Sequence, residues 1–61
     1  MVFKKGDKVK FSVRYVNTHP ECANKKGIVY ILFTRKTKKC LGVNFPDGTW
    51  LAEEWVFKKV D

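Results

Sequence analysis

Cys40-Leu41-Gly42-Val43-Asn44-Phe45-Pro46-Asp47-Gly48-Thr49-Trp50-Leu51-Ala52 is the stretch that decides the fold class. Two apolar runs, 40–45 and 49–52, flank a Pro-Asp-Gly triplet. Pro46 pre-sets its own φ, Asp47 bonds back to the backbone, and Gly48 takes the positive φ that closes a hairpin. Strands this short, joined this tightly, belong to a small, nearly all-β domain.

Working outward, residues 8–16 alternate: Val9, Phe11, Val13 and Tyr15 against Lys8, Lys10, Ser12 and Arg14. Period two over nine residues predicts a half-buried strand with a cationic outer face. Residues 17–26 break the pattern with Asn17, His19-Pro20, Asn24 and Lys25-Lys26, which reads as a long loop and a candidate working surface. Gly27 then opens Ile28-Val29-Tyr30-Ile31-Leu32-Phe33. Its length and its β-branched and aromatic content predict a central strand, bent enough to bury residues of both parities. Residues 34–39 read as a polar turn carrying Arg35, Lys36, Lys38 and Lys39. After the Asp47-Gly48 hairpin, Glu53-Glu54-Trp55 suits a single 3₁₀ turn, and 56–60 a short closing strand.

Sixty-one residues make one domain, 1–61. So short a chain buries only about 60% of its unfolded surface, which leaves little room for a deep substrate cavity. An enzyme is therefore not expected. Five Phe, two Tyr and two Trp partly compensate the thin core; Phe11, Phe45, Trp55 and Phe57 are expected inside it. Of Tyr15, Tyr30, Phe33 and Trp50, at most two are expected at the surface.

Thirteen Lys or Arg against six acids leave a net charge of +7. Such a field attracts polyanions: nucleic acid, anionic lipid or an acidic protein surface. The alternative is lysine placed for solubility and to blunt strand edges. No window approaches the roughly 18 consecutive apolar residues of a membrane span. Residues 1–6 lack the apolar stretch of a secretory signal, so Cys22 and Cys40 read as reduced thiols in a cytoplasm; a disulfide between them stays open at this level.

The order strand, long loop, strand, polar turn, strand, tight hairpin, strand, 3₁₀ turn, strand resembles an SH3-like barrel. Gly6-Asp7-Lys8-Val9-Lys10-Phe11 is similar to the opening of KOW and Tudor-type barrels, and Lys26-Gly27-Ile28-Val29 to the start of their second strand. Val43-Asn44-Phe45-Pro46-Asp47-Gly48 resembles their third strand and hairpin, and Glu54-Trp55-Val56 the approach to their last strand. The resemblance implies a five-stranded barrel with one 3₁₀ turn before the last strand. It implies no single function, since such barrels bind RNA, DNA, ribosomes, methylated tails or other proteins. Between Gly6 and Gly27 the chain is longer than a KOW repeat and lacks the expected glycines, so that family's contact loop does not carry over.

The candidate binding residues are cationic: Arg35, Lys36, Lys38 and Lys39 on one turn, with Lys8, Lys10, Arg14, Lys25 and Lys26 on the neighbouring strand and loop. Eleven lysines against two arginines suit phosphate tracking better than base reading, which favours bidentate Arg. Tyr15 and Trp50 are the aromatics placed to stack on bases. His19, Cys22 and Cys40 lack the paired spacing and the fourth ligand of a structural zinc site, and no cofactor is expected. One His and two separated Cys give no nucleophile–base spacing. Glu53-Glu54 reads as local charge balance for Lys58-Lys59. The expected function is low-specificity binding of RNA or DNA through the backbone. The rival is a protein-interaction module, of an accessory or phage type, docking an acidic partner surface.

Overall fold

The computed structural model describes residues 2–60. Five antiparallel strands form one sheet: β1 (Lys8–Phe11), β2 (Lys26–Arg35), β3 (Lys38–Phe45), β4 (Gly48–Glu53) and β5 (Phe57–Lys59). Their order is β4-β3-β2-β1-β5. Each neighbour follows in sequence except β5, which returns to pair with β1. Among the described residues β4 and β5 do not pair, so the sheet stays open along these two edges.

The tight hairpin lies where the sequence puts it. Phe45 pairs with Gly48 across Pro46-Asp47, and Gly48 has φ 148°, the side of φ that glycine adopts without a Cβ penalty. The short 3₁₀ turn before the last strand spans Glu54–Val56, one residue later than expected.

The first strand corrects the alternation reading. It ends at Phe11, and Val13–Thr18 forms α1, followed by a 3₁₀ turn over Pro20–Cys22. Ser12 causes the switch. Its hydroxyl accepts from the Tyr15 N–H at 3.3 Å and donates to the Trp55 carbonyl at 2.8 Å, while its own N–H donates to the Val56 carbonyl at 2.8 Å. A serine that caps a helix and ties to a distant turn offers the backbone more than continued pairing does. In the helix only Tyr15 and Val16 pack against the core; Val13, expected inside, is 70% exposed. The long loop is thereby mostly structured.

The central strand also departs from expectation. The register passes from Val29 opposite Val43 directly to Ile31 opposite Gly42, leaving Tyr30 as a bulge. The bend does not bury both parities: Val29 is buried, whereas Ile28, Tyr30, Ile31 and Leu32 are exposed. The polar turn contracts to Lys36-Thr37, because Arg35 pairs with Lys38 and Thr34 with Lys39 as strand residues.

The core is built around Phe11. Its ring stacks on Phe45 at 4.9 Å and on Tyr15 at 5.3 Å, meets Phe57 at 5.4 Å, and takes the edge of Trp50 at 5.1 Å. Phe11, Phe45 and Phe57 are buried as expected, with Val9, Val29, Leu41 and Val43 beneath them. Trp55, expected with them, is 45% exposed. A single 3₁₀ turn has one inward side, and Val56 takes it. Of Tyr15, Tyr30, Phe33 and Trp50, only Tyr30 is exposed.

Candidate functional site

Alternation along β1 turns Val9 and Phe11 into the core and leaves Lys8 and Lys10 outside. Pairing then decides who their neighbours are. Lys10 lies directly opposite Lys26 on β2 and directly opposite Lys58 on β5. Directly paired residues share a face with Cβ atoms roughly 5 Å apart, so three lysines form one row across three strands. Lys8 stands two residues along on the same face, opposite Ile28. Among the described residues none of these four lysines forms an ion pair. Lys58 is the member that sequence reasoning missed. The signal was the alternation of Phe57-Lys58-Lys59, which puts Lys58 opposite in facing to the buried Phe57.

The remaining cations divide into other groups. Arg35 and Lys38 face each other beside the Lys36-Thr37 turn, with Lys36 at φ 58°; Lys39 pairs with Thr34 one residue further. Arg14 sits on α1, its guanidinium carbon 4.7 Å from the centre of the Trp55 ring. Lys25 is not a free cation: its ammonium contacts Asp47 at 2.6 Å. That hydrogen bond holds the Asp47 carboxyl below its ordinary pKa and raises that of Lys25. Glu53 lies 3.9 Å from Lys38, and Lys59 pairs with Asp7 at 3.5 Å. Within the acidic pair 53–54, Glu53 contacts Lys38, and among the described residues neither acid forms an ion pair with Lys58 or Lys59.

The two nominated aromatics are half-buried. Tyr15 stacks on His19 at 4.2 Å as well as on Phe11, and burial pushes its phenol pKa up. Trp50 meets Tyr15 edge-on at 6.4 Å. The most exposed ring is Trp55, at 45%, ahead of Tyr30 at 39%. A groove of about 590 Å³ is lined by Trp55, Phe33 and Leu51 together with Arg35, Lys36 and Lys38 of the hairpin tip.

Cys22 and Cys40 are free, buried thiols, and burial raises the pKa of Cys22. Among the described residues no three His, Cys, Asp or Glu side chains gather as a metal site requires, and no helix is long and apolar enough to cross a membrane. The chain matches no protein-family model, no curated protein and no solved structure.

Proposed function

We propose that this chain is a non-enzymatic, SH3-like β module that binds RNA or DNA with low sequence specificity through backbone phosphates. The observation that carries the reading is the row Lys26–Lys10–Lys58. Like charges directly opposite one another destabilise a sheet, and solubility needs no such alignment. A phosphate backbone turns the same alignment into an advantage: each neutralised phosphate releases counterions. Lysine, a compact point charge, suits that contact and carries little base discrimination. The strand order β4-β3-β2-β1-β5, with a 3₁₀ turn before β5, supports the SH3-like part of the reading. The two free thiols fit a cytoplasmic setting.

A second reading, docking of an acidic protein surface, draws on a different feature. Ile31, Gly42 and Leu51 pair in one row across β2, β3 and β4, and Ile31 and Leu51 remain exposed. Salt separates the two. In titrations with labelled oligonucleotides, log K should fall linearly with log[salt]. Changing Lys10, Lys26 and Lys58 together to Gln should flatten that slope by roughly 0.7–0.9 per lost phosphate contact, whatever the base sequence. Absence of oligonucleotide binding below millimolar at low salt would overturn the proposal and leave the protein-docking reading.

A further inference from the structure

Trp55 exposes 45% of its surface, more than any other described aromatic, with Tyr30 next at 39%. The Arg14 guanidinium lies against it at 4.7 Å. The groove it lines has half-buried Phe33 and exposed Leu51 on its walls and three cations, Arg35, Lys36 and Lys38, beside them. One acid, Glu53, also lines it, 3.9 Å from Lys38. Arg35 and Lys36 form no ion pair among the described residues. The groove thus combines an open aromatic surface, an apolar wall and excess positive charge.

These features select among forms of nucleic acid. A duplex hides its base faces in the stack, and a lysine row is sufficient to meet its phosphates. An exposed indole in a concave cationic site gives an unstacked base a surface to stack on, which a duplex does not need. We propose that this groove takes an unpaired segment of RNA or DNA, one base against Trp55 and the neighbouring phosphates on Arg35 and Lys36. This inference rests on the phosphate-binding reading above and adds to it a preference for single strands. An acidic peptide matches the charge of the groove but has no flat ring for the indole unless it is also aromatic, so the nucleotide is the better fit.

The test compares a labelled single strand with its own duplex, at low salt, on wild type, Trp55→Ala and Arg35→Gln. Trp55→Ala should weaken the single strand about 5- to 150-fold, the equivalent of one lost base stack, and leave the duplex unchanged. Arg35→Gln lies on the exposed hairpin and keeps the fold even if Trp55→Ala melts. It should reduce single-strand affinity selectively. Equal losses for both forms with Arg35→Gln, or a wild type that prefers the duplex, would overturn the groove assignment while leaving phosphate binding intact. So would full single-strand affinity in a folded Trp55→Ala. An acidic, aromatic peptide that binds wild type more tightly than the single strand does, and loses that affinity in Trp55→Ala, would assign the groove to an acidic protein instead. Wild type that binds neither form would remove both proposals together.

Discussion

Lys10 meets a lysine on either side, Lys26 and Lys58, and that placement separates function from stability at one residue. Each like-charge cross-strand pair opposes folding by a few tenths to about 1 kcal/mol. Lys10→Glu converts both pairs into attractions. The melting temperature should rise, by about 4–8 °C for each kcal/mol gained in a domain of this size, while oligonucleotide affinity and its salt slope both fall. Parallel changes, with stability and binding lost together, would mean that Lys10 serves the fold rather than a ligand. Gly27 gives the reverse case, a residue the fold alone requires. A Cβ there would stand 2.5 Å from the Asn44 carbonyl oxygen and 2.7 Å from Val43 Cγ1. The carbonyl belongs to a paired strand and cannot step aside. Gly27→Ala should therefore cost about 1–3 kcal/mol, the range for overpacking. Gly48→Ala has open space around its Cβ and only the strain of φ 148° to bear. A denaturant series that ranks Gly48→Ala as the more damaging would show that β3 shifts freely over β2 at Gly27.

Ser12 joins two elements that lie far apart in sequence, the α1 N-terminus and the Glu54–Val56 turn. Ser12→Ala removes the helix cap and leaves the Trp55 carbonyl without its donor at once. The loss should be about 1 kcal/mol, perceptible as a lower midpoint in urea at unchanged slope. It should also loosen Trp55, with a shift in its fluorescence. A red-shifted emission with no loss of stability, or the converse, would show that cap and turn are independent. The same serine explains what was legible at this scale. The Pro46-Asp47-Gly48 hairpin was readable because its chemistry is local: each residue acts on its own backbone. The 3₁₀ turn was readable because 53–55 has no length for anything else. Helix α1 was not, because Val13 and Val16 are mediocre helix formers and the decisive bonds of Ser12 reach across 43 residues. The candidate site divided in the same way. Lys8 and Lys10 were legible from alternation. Their alignment with Lys26 and Lys58 depends on register, and the emergence of Trp55 depends on Val56 taking the inward side of the turn. Neither is encoded within one segment.

Across the whole molecule, +7 of charge is spread over a body of 27 × 22 × 21 Å. At 0.01 M salt the screening length is about 30 Å, so every cation feels every other; at 0.15 M it is about 8 Å, and only neighbours interact. Self-repulsion of this kind destabilises the compact state. The melting temperature of the free protein should therefore rise as salt increases over that interval. Acid works in the opposite sense. The backbone N–H of Lys4, and beyond it Lys59, hold the Asp7 carboxyl below its ordinary pKa, and the hydrogen bond from Lys25 does the same for Asp47. A carboxyl with a depressed folded-state pKa adds stability above the ordinary carboxylate range, and that stability is lost as pH falls through the depressed value. Acidification below about pH 4 removes these contacts and raises the net positive charge, so melting should drop steeply there. A bound polyanion reverses the salt response. A ligand at about 100 times its Kd adds about 2.7 kcal/mol at low salt, and salt erases that gain by weakening the complex. Melting curves with and without single-stranded oligonucleotide should then stand far apart at 0.01 M and converge as salt rises. The free protein climbs towards the curve of the complex from below. If the free protein instead melts lower at high salt, Lys25–Asp47 and Lys59–Asp7 outweigh the repulsion. The row Lys26–Lys10–Lys58 would then cost the fold too little to require a polyanion in explanation.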